Sequence, residues 1–364
     1  MLDSKILNTN NRKGNQSIFL GEDMGLLDTV NKNYPKIWDI YKEMKSLDWD
    51  ENEFDFSTCN AEFKSCSKST YDAMIKTLAW QYEADSAAAK TILPVVAPFL
   101  TSTEAYAAWA EITKNEVVHS LTYSEIVRNS FEDPNEVLNT ILETEQALTR
   151  LDVVAEVMHK AYVTSHKYAL GEGENNQETY NDVFMFVVAL LVLERIQFLA
   201  SFAVTFTIAE SGLFQPIAKA VQKIAQDELE VHVKMDKEVL RTELKTERGK
   251  LAMEQCSDKI KDLIDSVVNS ELEWADYLFS EGRELVGMNS EILKNWVLFN
   301  AKDVYQFLKI EPEHKLPSTN PIKFMENWLN ISKSQPSPQE EAIGAYRVNV
   351  MKRDDQDEKF DLDF

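Results

Sequence analysis

The sequence predicts an all-α protein, a single large helical domain, and three observations carry that reading. Glycine is scarce: ten in 364 residues, with none between Gly25 and Gly171. Sheets and their tight turns draw heavily on glycine, so this gap favours helices joined by short polar turns. Apolar residues recur at three- and four-residue intervals, with charges on the opposite face, over Ala73 to Leu78, Ala105 to Ile126, Val137 to Val163 and Ile217 to Val239. The punctuation between these runs is that of helix ends.

Taken in order, residues 1–34 form an N-terminal extension, and MLDSKILNTNNRKGNQ has no apolar core of the kind a signal peptide needs. A main domain over 35–311 follows. Asp133-Pro134 opens a helix, because proline at a first turn loses no intrahelical bond. Gly171-Glu-Gly173-Glu-Asn-Asn marks a loop. Ser211-Gly212 ends the most apolar run of the chain, and Gln215-Pro216 starts the next helix. That apolar run, Val183 to Ile208, is long enough to cross a bilayer. Its centre, however, carries Glu194, Arg195 and Gln197, and a charge at mid-membrane costs about 2.5–3.5 kcal/mol. It is expected to be a buried core helix. Five of the ten prolines lie between Pro312 and Pro338, so 312–364 is expected to be a flexible linker and acidic tail, punctuated by Phe360, Leu362 and Phe364.

Composition excludes several classes. Lys and Arg number 38 against 61 Asp and Glu, a net charge of −23, which argues against a nucleic-acid surface. Cys59, Cys66 and Cys256 form neither a disulfide framework nor a CxxC metal site, and suit a reducing cytoplasm. No membrane partner is expected.

The chemistry lies in a constellation. Glu116-Val-Val-His119-Ser-Leu-Thr-Tyr123 puts a carboxylate, an imidazole and a phenol at successive turns of one helix face. Asp227-Glu228-Leu-Glu230-Val-His232 repeats the Glu–His pairing on a second helix. Between them Glu194 interrupts a run that otherwise avoids charge, and upstream Asp85 sits in WQYEADSAAAK. Singly, each has a plain explanation: a surface Glu–His pair, a Glu194–Arg195 ion pair, a solvated aspartate. Together, four carboxylates and two imidazoles on four helices match a dinuclear carboxylate-bridged metal site. Oxygen donors with one imidazole per metal and no thiolate suit iron or manganese rather than structural zinc.

With Asp85 before it and Glu194-Arg-x-x-Phe198 after it, the motif Glu116-x-x-His119-Ser-x-x-Tyr123 resembles the small, radical-generating subunit of class I ribonucleotide reductase. The resemblance runs from YPKIWDIYKEM to the acidic tail. It implies a ferritin-like bundle with additional helices, a homodimer, and a dinuclear centre of two iron ions, two manganese ions or a mixed pair. Asp85, Glu116 and His119 would serve one metal and Glu194, Glu228 and His232 the other, with two carboxylates bridging. Tyr123 would carry the radical inside a pocket of Phe198, Phe202 and Ile224. Trp49 and Asp227 would relay it, and Tyr346 in the tail would hand it to the large subunit for reduction of ribonucleotides to deoxyribonucleotides. Thioredoxin or glutaredoxin would act only indirectly, and allosteric control would lie on the large subunit. His159, His166 and His314 match no ligand position.

One departure stands out. The family usually spaces its last ligand pair as ExxH, whereas this chain has Glu228-x-x-x-His232. A π-bulge would absorb the extra residue; otherwise Glu230 intrudes on the site. Two other classes share parts of the pattern: a dimetal oxidase or monooxygenase, and a non-catalytic iron-binding bundle. Neither needs Tyr123, Trp49 and a tyrosine-bearing acidic tail together.

Overall fold

Helix ends fall where the polar and glycine signals put them in the computed structural model, which describes residue 8 and residues 17–330. Among the described residues there is no strand, only the isolated bridges Phe19–Leu100 and Leu285–Met288. The helices run α1 Pro35–Ser46, α2 Cys59–Ser65, α3 Lys68–Val96, α4 Thr103–Ser130, α5 Pro134–Leu142, α6 Glu145–Ala169, α7 Gln177–Val192 and α8 Phe198–Glu210. They continue as α9 Gln215–Asp227, α10 Val233–Glu243, α11 Glu247–Leu278, α12 Ser290–Leu308 and α13 Met325–Trp328. Side chains of Ser67 and Ser102 cap α3 and α4 by accepting from backbone N–H groups three residues on. Asp133 caps α5 directly ahead of Pro134. Gly171 and Gly212 follow α6 and α8 at φ +77 and +87, a left-handed turn that residues with a Cβ rarely adopt.

The apolar run is the bundle's central rod. Over Gln177–Glu210 its most hydrophobic window is 94% buried inside the protein, as the charges at its middle require. Each fully buried Val, Leu or Phe there contributes about 1.5–3 kcal/mol of burial. Around it pack α3, α6, α10, α11 and α12, while α4 lies along α3 and α1 along α4.

The rod is not α-helical throughout. Leu193–Gln197 winds as a π turn between α7 and α8, and Glu228–His232 winds as another between α9 and α10. The second is the bulge that the four-residue Glu–His spacing called for. The first has no counterpart in the sequence reading. The two π turns pack against each other.

Burial extends beyond the body that the sequence marked out. Ile18, Phe19 and Leu20 of the N-terminal extension are buried, with Leu20 N–H bonded to the Phe99 carbonyl at 2.8 Å. After α12, Ile322 and Met325 are buried, and Trp328 stacks on Phe206 with ring centroids 4.7 Å apart. Trp328 Nε1 also donates to Glu210 at 2.8 Å. Proline here shapes an irregular strap that ends in the single turn of α13 and is pinned by Ile322, Met325 and Trp328, so the packed body continues past residue 311. The acidic tail, with Tyr346, lies outside the described residues.

Candidate dimetal centre

Four helical segments converge on one buried cluster. Asp85 comes from α3, Glu116 and His119 from α4, Glu194 from the first π turn, and Glu228 and His232 from the second. All six are at most 2% exposed. Their donor atoms form two overlapping groups, Asp85–Glu116–His119–Glu228 and Glu116–Glu194–Glu228–His232, each with all its atoms within 4.8 Å of one another. Glu116 and Glu228 belong to both.

The imidazoles are oriented alike. His119 turns Nδ1 toward Glu228 Oε1 (3.3 Å) and Glu116 Oε2 (3.7 Å), and its Nε2 meets Asp227 Oδ2 at 3.0 Å. His232 turns Nδ1 toward Glu228 Oε2 (3.1 Å), Glu116 Oε1 (3.5 Å) and Glu194 Oε1 (3.8 Å), with Nε2 3.5 Å from Asn115 Nδ2. Each Nδ1 faces the carboxylates while the outer nitrogen meets a polar partner, as in histidines that bind metal.

Without cations the electrostatics are unfavourable. Burial and the Glu116 charge push the Asp85 carboxyl well above its ordinary range. Burial, with Asp236 and Glu228 nearby, does the same to Glu194. Burial and Glu228 raise Glu116. Glu228 alone goes down, to about 2, because His232 and His119 outweigh its burial. For His119 burial opposes protonation, but the hydrogen bond to Asp227 and the neighbouring Glu116 and Glu228 carboxylates outweigh it and raise it. Both Asp85 carboxylate oxygens, Glu116 Oε2, Glu194 Oε2, Glu228 Oε1 and His119 Nδ1 make no hydrogen bond. Buried polar atoms left so cost about 1–3 kcal/mol each. Inward-facing, unpartnered oxygen and imidazole donors are the set that a pair of hard-to-borderline divalent cations satisfies.

The predicted relay residues are joined. Trp49 Nε1 donates to Asp227 Oδ2 at 2.7 Å, the same oxygen that meets His119 Nε2. The Trp49 and His119 rings lie 5.9 Å apart and 20° from parallel. Tyr123 is buried with a hydroxyl that makes no hydrogen bond. Burial, and then the Asp85 charge, raise the pKa of its phenol well above the ordinary value. Phe198, Phe202 and Ile224 are wholly buried, the two phenylalanine rings 5.7 Å apart.

Two sequence-level ambiguities resolve. Glu230 turns away and pairs with Lys234 at 2.7 Å. Arg195 pairs with Asp303 at 3.0 Å and with Asn300, not with Glu194. Three participants were not anticipated: Asn115, the first π turn, and Asp236. Asp236 is buried against Glu194, its carboxyl pushed up to about 8 chiefly by burial. Its position four residues after His232, on one helix face, was the available signal.

Fold and donor set together define a helical protein with a buried carboxylate–histidine cluster able to hold two metal ions. Residues 27–321 match the family model described as ribonucleotide reductase, small chain. The ribonucleoside-diphosphate reductase 1 subunit beta of Salmonella typhimurium is 26% identical over 355 residues, covering 93% of each chain. The subunit beta of Enterobacteria phage T4 is 22% identical over 370 residues, covering 94% of each. Among solved structures, the ribonucleotide reductase R2 subunit from Clostridium botulinum superposes with a TM-score of 0.79 at 18% identity, over 91% of this chain and 99% of that one. The dimanganese(II)-NrdF of Streptococcus sanguinis gives 0.65 at 13% identity, over 83% and 98%.

The chain belongs to the ribonucleotide reductase small-chain family. It is an oxidoreductase subunit whose role is radical generation, and it works with a large subunit.

Proposed function

We propose that Asp85, Glu116 and His119 would hold one metal ion and Glu194, Glu228 and His232 a second, with Glu116 and Glu228, which belong to both donor groups, within reach of either. The observation that carries this reading is the continuous connection from Trp49 through Asp227 and His119 into the cluster. A structural ion-pair core has no use for such a chain. The ions are iron, manganese or one of each, and when bound they supply the oxidising power released by reaction with oxygen.

The remaining work falls to side chains. Tyr123 gives up an electron and its phenolic proton and becomes the stored radical. Phe198, Phe202 and Ile224 exclude water and reductants from it. Asp227 Oδ2 accepts from both Trp49 and His119, so it can take the Trp49 Nε1 proton when the indole is oxidised and return it afterwards. Tyr346 continues the route to the large subunit, docked through the acidic tail, where ribonucleotides become deoxyribonucleotides. The chain acts as a cytoplasmic homodimer, and thioredoxin or glutaredoxin serves only the large subunit.

The test is to load the metal-free protein with Fe(II) anaerobically, admit oxygen, and record EPR spectra beside a Tyr123→Phe variant. About two metals per chain and a tyrosyl signal absent from the variant are expected. Two metals with no tyrosyl signal in wild type would refute the radical assignment.

A further inference from the structure

Among the proposed ligands, Asp85 stands apart. His119 Nε2 meets Asp227 and His232 Nε2 meets Asn115. Asp236 lies against Glu194, and Glu116 and Glu228 each turn an oxygen toward His232. Asp85 has neither oxygen hydrogen-bonded. One turn before it on α3 stands Gln81, and one turn before that Thr77. Both side chains are wholly buried, and the Thr77 hydroxyl and both ends of the Gln81 amide also make no hydrogen bond. The hydroxyls of Thr113, Thr122 and Thr207 donate to the backbone carbonyl four residues back, at 2.9, 2.8 and 2.7 Å, a common outlet for a helical threonine. Thr77 does not take it. Three buried polar side chains thus follow one another at four-residue spacing along one helix face, each a turn from the next.

We infer that Thr77 and Gln81 are positioning residues that orient the Asp85 carboxylate for metal capture; the inference rests on the reading of Asp85 as a ligand given above. Donor and acceptor chemistry fixes the direction of the chain. An ionised carboxylate only accepts, so Gln81 faces Asp85 with its Nε2–H group. That leaves Gln81 Oε1 for Thr77, whose hydroxyl donates. Residues four apart on a helix have Cβ atoms about 5–6 Å apart, and glutamine–aspartate pairs hydrogen-bond at that spacing. Asp85 has an oxygen for each task, one for the ion and one to accept from Gln81. Ligating carboxylates are ordinarily held by such an outer hydrogen bond. The two bonds belong to the ion-bound chain, and together they satisfy the Thr77 hydroxyl, both ends of the Gln81 amide and one Asp85 oxygen.

The experiment titrates metal-free, full-length protein with Mn(II) by calorimetry, wild type beside Gln81→Leu, Thr77→Val and Asp85→Ala, and melts each variant without metal. Wild type is expected to bind two ions per chain and Asp85→Ala one. In Gln81→Leu, the ion that Asp85→Ala loses should bind about 10–100-fold more weakly, with the other unmoved. Its metal-free melting temperature should not fall, because leucine replaces two buried groups that have no hydrogen bond to lose. Thr77→Val should weaken the same ion several-fold, and should add nothing once Gln81 is leucine. Unchanged affinity for that ion in Gln81→Leu, or equal weakening of both ions, overturns the inference and leaves Asp85 a ligand. Two ions still bound by Asp85→Ala, or none by wild type, overturns the reading of Asp85 and the inference with it.

Discussion

Membership of Glu116 and Glu228 in both donor groups predicts an unequal response to mutation. Glu228→Ala removes an oxygen donor from each group, whereas Asp85→Ala leaves Glu116, Glu194, Glu228 and His232 intact. An ion present at 100 times its Kd stabilises the folded chain by about 2.7 kcal/mol. At ~2.1 cal/mol/K per residue, a chain of 364 residues has an unfolding entropy near 0.8 kcal/mol/K. One ion therefore raises Tm by about 3.5 °C and two by about 7 °C. Wild type should show the full rise with two metals per chain, Asp85→Ala, which keeps one ion, at most half of it, and Glu228→Ala almost none. Metal-free Asp85→Ala should melt no lower than metal-free wild type, because the lost carboxylate has no hydrogen bond and burial disfavours its charge. Thermal melts with and without metal, paired with elemental analysis, decide the matter. Two ions retained by Glu228→Ala, or both lost from Asp85→Ala, would refute the bridging argument.

Three further outcomes are expected. Asp227→Asn keeps the shape of the relay but cannot accept from Trp49 and His119 through one anionic oxygen; the Tyr123 signal should still form, while turnover with the large subunit falls by about 10–100-fold, and unchanged turnover would remove Asp227 from the route. Arg150 is buried between Trp80 and Trp274, its guanidinium 4.0 and 4.4 Å from their rings, and it donates twice to Glu271 at 2.9 and 2.7 Å. Arg150→Leu should cost about 3–5 kcal/mol in urea denaturation, much of it recovered by adding Glu271→Leu; a loss below about 1 kcal/mol would contradict this. For Asp303, burial works against ionisation, but Lys237 and Arg195 hold its pKa below the ordinary 3.8. A depressed carboxyl stabilises above its unfolded pKa and loses that contribution as pH falls through the folded value. Asp303→Asn should thus cost about 1 kcal/mol at pH 7, the carboxylate being partly exposed, and the difference should close below pH 3.8.

What the sequence made legible was local. The glycine gap, the proline at the start of α5 and the apolar periodicity each act within a turn or two, and the helices obey them. The Glu228–His232 bulge was legible as well, because an extra residue between two ligands has to go somewhere. Leu193-Glu-Arg-Ile-Gln197 has no insertion to betray its π turn; a hydrogen-bond slip there is decided by what packs against it, namely α12, α11 and the other π turn. Asp236 was easy to pass over for a similar reason, since the carboxylate it lies against, Glu194, comes from a distant part of the chain. Arg195 looked like the partner of its neighbour Glu194, but α12 supplies Asp303 and Asn300 instead. The strap after α12 misled through composition: its prolines suggest a tail, and three apolar anchors clustered at its end, Ile322, Met325 and Trp328, outweigh them.

The placement of the π turns also orders the two metals. Asp85, Glu116 and His119 stand on α3 and α4, whose helical winding is uninterrupted at these positions. Glu194, Glu228 and His232 all stand on π turns, where the regular ladder of hydrogen bonds is broken. Ligands on regular helices are better fixed before binding and give up less freedom on capture. Glu194 has a further obstacle: Asp236 lies against it, and two buried carboxyl groups in contact cannot both ionise cheaply. The group built on α3 and α4 should therefore fill first, and the other should bind at least ~10-fold more weakly, a difference of about 1.4 kcal/mol. A calorimetric Mn(II) titration of metal-free protein should show two phases. Glu194→Ala should erase the weak phase and leave the tight one, and Asp85→Ala should do the reverse. A single phase of two equivalent ions, or loss of the tight phase in Glu194→Ala, would mean that the π turns are as well organised as the helices they interrupt.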